Sequence, residues 1–258
     1  MPERARQNAP PCGPERRASN LEHRSLVNPQ SLSHRLERVA AQVPVDARLA
    51  DIGSDHAYLP VALVLRGIVP WAVAGEVART PFLAARRSVD ENGLAHCISV
   101  RQADGLAAIE ASDRITAVTL CGMGGETIRD ILQAGKARLS IRERLILQPN
   151  GGERHLRQWL MDNGYGIRHE EVLRENRFDY EIIVADPGES VTYSPRELFF
   201  GPLQLQQRTP AFLAKWQRLL HLKRRTLERL AHARQNGLEG KRLELAEHIE
   251  WIESLNPR

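Results

Sequence analysis

The stretch Leu49-Ala50-Asp51-Ile52-Gly53-Ser54-Asp55-His56-Ala57-Tyr58-Leu59-Pro60 constrains the fold of this chain more than any other. A short apolar run from Val45 to Ile52, broken by Asp46 and Arg48, ends in an acid and a glycine. Three polar residues follow, and an apolar helical pattern begins at once with Leu59, Val61, Ala62, Leu63 and Leu65. That order predicts a strand, a tight turn and a helix, the first crossover of a parallel α/β sheet. At such a turn the helix start presents unpaired N–H groups, and Gly53 lets a ligand approach the backbone. Any turn of this kind needs a glycine and polar caps, so alone it names no ligand. The G-x-G-x-x-G of dinucleotide sites is missing.

The next strand narrows the reading. Trp71 to Val77 forms a second apolar run that closes on Glu76, roughly 20 residues beyond the glycine turn, where a doubly wound fold places a carboxylate on ribose hydroxyls. A helix is predicted from Thr80 to Gly93, with Pro81 at its start and a glycine at its end. A third strand, Cys97 to Ala103, is closed by Asp104-Gly105, and a fourth, Ile115 to Leu120, runs into Cys121-Gly122-Met123-Gly124-Gly125. A helix with Ile128, Ile131 and Leu132 ends at Gly135. The fifth strand, Leu145 to Leu147, is closed by Gln148-Pro149-Asn150-Gly151-Gly152, and a helix with Leu156, Trp159 and Leu160 stops at Asn163-Gly164. Two further runs, Gly166 to Leu173 and Tyr180 to Ala185, are joined so briefly that they read as an antiparallel hairpin at the sheet edge. Five strand–helix units and a hairpin make an open, doubly wound α/β sheet. Acids after the first three strands put a nucleoside-bearing cofactor at the carboxyl edge of that sheet.

Composition sets the limits around this core. The 258 residues suffice for one ordinary domain plus a smaller appendage. No apolar run approaches the roughly 20 residues of a membrane span, and no apolar segment follows the N-terminal arginines to make a secretory signal. Cys12, Cys97 and Cys121 lie far apart with no C-x-x-C pair, so neither a disulfide framework nor a structural zinc site is indicated and no metal is expected; a cytoplasmic setting fits. Residues 1–28 are rich in Pro, Arg, Asn, Glu and Ser and read as a disordered tail. Residues 29–190 form the sheet domain, opened by a helix with Leu32, Leu36, Val39 and Val43 on one face and Ser31 as its cap.

Residues 191–258 read as a helical appendage. From Pro210, Phe212, Trp216, Leu219, Leu220, Leu227 and Leu230 make one stripe, and Leu243, Ala246, Ile249 and Ile252 make another, with Asn236-Gly237 between them. That predicts an antiparallel helical hairpin with a coiled-coil seam. Its first helix carries Lys215, Arg218, Lys223, Arg224, Arg225, Arg229 and Arg234 against a single acid, Glu228. A solvated face and a phosphate footprint both fit such an excess. Within it, Arg225 and Arg229 share a face and make the better phosphate pair, while Lys223 and Arg224 flank the seam.

Taken together, Asp51 to Pro60, Ala74-Gly75-Glu76, Asp104-Gly105, Cys121 to Gly125, Leu147 to Asn150 and Tyr180 to Ala185 resemble class I S-adenosylmethionine-dependent methyltransferases. More closely, they resemble the bacterial tRNA (adenine-22-N1)-methyltransferase family, TrmK. The resemblance spans roughly Leu32 to Gly188 and implies a Rossmann-like sheet, S-adenosyl-L-methionine as cofactor, tRNA as substrate and a C-terminal helical extension. It agrees with the residue reading of the site: Asp51, Gly53 and Ser54 at the methionine end, Glu76 on the ribose, Asp104 and Gly105 at the adenine, and Gly122 in the loop after strand four. Asp55, His56 and Asn150 are the candidates for the chemistry, with Tyr58 or another aromatic stacking on the target base. Adenine N1 already carries the reacting lone pair, so positioning and a nearby carboxylate serve better than a strong base. Asp55 as a helix cap and His56 as a packed turn residue are the bland alternatives. The N/D-P-P-Y tetrapeptide of exocyclic-amine methyltransferases is replaced by Gly122-Met123-Gly124-Gly125, which weighs against N6 chemistry. Another RNA position, a small molecule, or a catalytically silent RNA-binding protein remain the alternatives. A monomer with no membrane or protein partner is expected.

Overall fold

The computed structural model describes residues 31–140, 142–188, 191–232 and 238–255. The tail expected over 1–28 and most of the break around Asn236-Gly237 lie outside these. Seven strands form one sheet in the order β3-β2-β1-β4-β5-β7-β6. The first five, β1 (Arg48–Ile52), β2 (Trp71–Glu76), β3 (Ile98–Gln102), β4 (Ala117–Met123) and β5 (Arg144–Pro149), are parallel. β6 (Tyr165–Glu175) and β7 (Phe178–Pro187) form the antiparallel hairpin, with β7 inserted beside β5 and β6 at the edge.

Helices α1 (His34–Ala40), α2 (Tyr58–Leu65) and α3 (Arg79–Glu91) cover one face, and α4 (Gly125–Ala134) and α5 (Glu153–Asp162) the other. In α2 every residue from Leu59 to Val64 is buried, so this helix is apolar on all sides and wedged against the sheet. Leu63, Leu120, Leu145 and Leu147 are fully buried, each such side chain stabilising the fold by about 1.5–3 kcal/mol relative to exposure.

Four local readings change. The first strand starts at Arg48, because Asp46 takes φ 62° and Val45 is 72% exposed. The cap of α1 is Ser33, whose hydroxyl accepts from the Leu36 amide, and not Ser31. No α-helix follows the third strand: two 3-10 turns, Gly105–Ala108 and Ala111–Asp113, make that crossover, so there are four strand–helix units among the described residues and not five. Strand four runs on to Met123 through an irregularity at Cys121.

Beyond the hairpin lie α6 (Pro195–Phe200), α7 (Pro202–Gln207), α8 (Pro210–His232) and α9 (Glu239–Glu253). The first of these is set by a capping box: Ser194 accepts from the Glu197 amide while Glu197 accepts from the Ser194 amide, with Pro195 as the first helical residue. Helices α8 and α9 pair antiparallel, with Arg224 on Glu253 at 2.7 Å and Arg242 on the Leu230 carbonyl at 3.1 Å. The seam differs from the expected stripes. Phe212 and Trp216 turn toward Phe199, Phe200 and Val172, and Leu243 is 71% exposed. The start of α8 is therefore seated on the sheet hairpin. Its anchor is ionic: Lys215 reaches Glu153 at 3.0 Å and pairs with Glu181 of β7, which also pairs with Arg157.

Candidate active site

The site forms where β1, β4 and β5 end. Asp51, near the carboxyl end of β1, stands in register with Thr119 of β4. Its carboxylate accepts from the Thr119 hydroxyl at 2.6 Å and from the Ser54 hydroxyl at 2.5 Å. Gly53, at φ +71°, turns the chain so that its own amide and that of Ser54 donate to the Gly75 carbonyl at 2.9 and 3.3 Å. Asp55 and Ala57 also occupy the left-handed region at φ 56°, a cost accepted at functional turns. The amide of Asp55 donates to Glu76 at the end of β2.

Two acids thus meet the same turn with no Lys or Arg paired to either among the described residues. Burial pushes the Asp51 carboxyl above its ordinary value, outweighing the hydroxyls of Ser54 and Thr119. Burial likewise raises Glu76, and Asp51 and Asp55 add to the rise, against the Asp55 amide and the positive charge of His56. A cation and a pair of hydroxyls would satisfy both. S-adenosyl-L-methionine carries an ammonium, a sulfonium and ribose hydroxyls, so the donor set fits that group.

A cavity of about 410 Å³ opens beside this turn. Asp51, Gly53, Ser54, Asp55, Tyr58, Gly122 and Asn150 all line it, so seven of the expected residues come together. Asp104 and Gly105 line a second, smaller cavity of about 260 Å³. The Ala103 amide beside them donates to the Glu76 carbonyl at 2.8 Å, which ties the two regions. His56 is not part of the lining; it stacks on Tyr58, with centroids 5.1 Å apart, and sits 3.7 Å from Asp55. Asp55 is no helix cap: α2 is entered from Ala57 with no side-chain cap bond. Asp104 likewise makes no cap bond. Asn150, a candidate for the chemistry, is engaged within the protein: its amide donates to the Gly122 carbonyl at 2.7 Å and its oxygen accepts from Gln148 at 3.1 Å. It holds the end of β4.

The loops after β4 and β5 touch so closely that a Cβ on Gly125 would lie 2.4 Å from the Gly152 carbonyl oxygen. Arg35, Tyr180 and Cys121, also in the lining, carry no site role of their own in the sequence reading. Arg35 donates to Gln148 and places its guanidinium 5.3 Å from the Tyr180 ring centre. Tyr180 comes from β7, and Cys121, whose thiol burial pushes up, from β4. Thr119 was equally unannounced, although its place in an apolar strand marks a hydroxyl in need of a partner. Among the described residues no group of three or more His, Cys, Asp or Glu is arranged to hold a metal ion, and no helix is long and apolar enough to cross a membrane.

On α8 the four expected tRNA-binding residues divide. Arg225 and Arg229 are exposed, with no ion pair among the described residues. Arg224 is held by Glu253, and Lys223 lies half-buried 5.5 Å from the Phe199 ring centre, its pKa lowered by burial.

Residues 49–254 match the model of the tRNA (adenine(22)-N(1))-methyltransferase family, TrmK. The chain belongs to this family. It is 40% identical over 235 residues to the tRNA (adenine(22)-N(1))-methyltransferase of Bacillus subtilis, covering 89% of this chain and 98% of that one. The crystal structure of the B. subtilis m1A22 tRNA methyltransferase TrmK superposes with a TM-score of 0.82 at 39% identity, over 88% of this chain and 99% of that one. Streptococcus pneumoniae Sp1610, solved in complex with S-adenosyl-L-methionine, gives 0.80 at 40% identity over 87% and 99%. The Mycoplasma capricolum TrmK, solved with S-adenosyl-homocysteine, gives 0.74 at 27% identity over 86% and 96%.

Proposed function

We propose that Asp51, the Gly53-Ser54 turn and Glu76 hold S-adenosyl-L-methionine with its methyl directed into the larger cavity, where a tRNA adenine presents N1. The chain is an S-adenosylmethionine-dependent tRNA (adenine-N1)-methyltransferase, acting at position 22 by its family. The observation that carries the site assignment is the pair of buried acids, Asp51 and Glu76, that face one turn with no Lys or Arg paired to either among the described residues.

The cofactor, when bound, supplies an electrophilic methyl on a positively charged sulfur. Asp51 binds cationic groups at the methionine end through its own charge, and Thr119 and Ser54 fix its rotamer. Glu76 accepts from ribose hydroxyls. Asp104, at the end of β3, accepts from the adenine amine of the cofactor. Asp55 projects into the cavity from a left-handed turn and is the carboxylate placed to stabilise the positive charge that N1-methylation leaves on adenine. His56 stays beside Asp55, 3.7 Å from its carboxylate. Gln148 and Asn150 hold Gly122 at the end of β4, and with it the wall of the cavity. Because N1 lies on the Watson–Crick edge, a paired adenine must be splayed out before it reaches this wall. Arg225 and Arg229 give the tRNA backbone a footing on α8.

Transfer of labelled methyl to tRNA, followed by nucleoside analysis, tests this directly: label in 1-methyladenosine is expected, and label in another nucleoside or none overturns it. Asp55→Asn is expected to lower the single-turnover rate while leaving cofactor affinity in place. A rate within about twofold of the parent, roughly 0.4 kcal/mol, removes Asp55 from the chemistry.

A further inference from the structure

Phe178 is 64% exposed and sits at the first position of β7, where no helix covers it. Two positions along the same strand face, Tyr180 lines the larger cavity, with the two ring centres 6.3 Å apart. On the cavity side of Tyr180 lies the Arg35 guanidinium, fixed by its hydrogen bond to Gln148. A run of flat groups therefore leads from the wall of the cleft to solvent.

The mounting of this run is stiff. Asn176 and Arg177 both take positive φ, 49° and 71°, and close the hairpin in two residues, the geometry of a tight primed turn. The intervening Asp179 points to the other face, where it accepts from Arg174 at 3.1 Å and from Arg218 of α8 at 2.5 Å. Next to it Glu181 pairs with Lys215 and Arg157. One face of β7 is thus locked to α8, and the alternate residues on the other face are presented without freedom to turn away.

Charge does not decide what this face receives. Glu175, opposite Phe178, accepts from the Arg35 amide at 3.4 Å, and Glu171 on the same edge strand binds Arg38 at 2.8 Å. Arg38 offsets the charge of Glu171, and Arg35, whose amide meets Glu175, brings its guanidinium to Tyr180. The edge therefore offers no strong field of either sign and the rings decide: they suit the face of a nucleobase, which aromatic side chains bind by stacking.

We infer that Phe178 and Tyr180 are the stacking surface that receives an unpaired base of the tRNA as the target strand enters the cleft, with Arg35 flanking Tyr180 at its inner end. The inference rests on the tRNA reading above and adds to it the residues that hold the strand at the mouth. The test uses the full chain and a tRNA transcript, and follows KM and kcat for tRNA, with S-adenosylmethionine affinity measured by calorimetry. In Phe178→Ala and in Phe178→Leu, KM for tRNA is expected to rise about tenfold, with cofactor affinity unchanged. Phe178→Trp is expected to stay within about twofold of the parent, because it keeps a ring face. An unchanged KM in Phe178→Ala, or a Phe178→Leu protein as good as the parent, overturns the inference while the tRNA reading stands. A parent protein that binds cofactor and methylates no tRNA overturns the reading itself, and this inference with it.

Discussion

Two groups of buried acids in this molecule differ in whether an arginine or lysine of the protein is paired with them. Behind the hairpin, Glu170 and Glu181 are buried against Arg157, and Glu181 also against Lys215. Glu170 lies 2.7 Å from the Arg157 Nε, and its other oxygen accepts from the Leu203 amide at 2.9 Å. Burial pushes Glu181 up, but the two cations outweigh it and hold the carboxyl below its ordinary value. In the cleft, Asp51 and Glu76 have hydroxyls and a backbone amide for company, and burial raises both. The first arrangement joins α5, α7 and α8 to the sheet. The second leaves negative charge waiting for a positive ligand. Burial of an acid is therefore ambiguous by itself, and the partner decides between scaffold and site.

The comparison breaks most visibly at Arg157. Arg157→Met leaves Glu170 without a cation and Glu181 with Lys215 alone, and breaking such a buried pair typically costs about 3–5 kcal/mol; equilibrium denaturation should show it, and a change below about 1 kcal/mol would mean that the network carries little. At the cleft the expected loss is of ligand and not of fold. Glu76→Ala removes hydrogen bonds to the ribose worth roughly 1.5–3 kcal/mol each, so calorimetry should find cofactor affinity at least about tenfold weaker, with the melting transition retained. Unchanged affinity would take Glu76 out of the site.

Glu181 and Asp51 respond to pH with opposite sign, although Glu170, which meets Arg157 alone, is itself raised by burial. Glu181, held low, contributes stability that is present above its unfolded value near 4.5 and is lost as pH falls through its folded value. Asp51, held high, contributes stability that is complete below its unfolded value near 3.8 and is lost as pH rises through its raised one. Glu181→Gln should flatten the acid side of the stability profile, and Asp51→Asn the rise-of-pH side. Profiles that shift in the same direction for both would contradict the distinction. The smallest effect is on α8. Arg225→Gln with Arg229→Gln should reduce the salt slope of tRNA binding by at most about two units and leave cofactor affinity alone; an unchanged slope makes that face merely solvated.

Much of this arrangement was legible in the residues. Asp51-Ile52-Gly53 and Glu76 are strand ends, where apolar alternation stops on an acid, and that signal is local. The third crossover misled because Leu106 and Ala108, with Ile109 just after them, are buried in and beside a 3-10 turn too short to show a helical period. Ser194-Pro195-Arg196-Glu197 did carry a local signal, a capping box, which went unread. Thr119, Arg35 and Tyr180 could not be reached that way. They enter the site from 68 positions along the chain in the case of Thr119, and from the flanking helix and the last strand for the others, through strand order and register alone. Likewise the α8 stripe gives an apolar face but not its partner, and Phe199 and Phe200 compete with α9 for Trp216.

The most direct measurement is denaturant unfolding of Asp51→Asn at neutral pH, with and without S-adenosyl-L-methionine. Thr119 and Ser54 hydroxyls can donate or accept, so the amide is accommodated, and a buried charge without a cation is removed. The account predicts a protein at least as stable as the parent without cofactor, and loss of the parent's stabilisation when cofactor is added. A marked loss of stability without cofactor, together with an intact cofactor shift, would make Asp51 a scaffold acid like Glu181 and contradict the assignment.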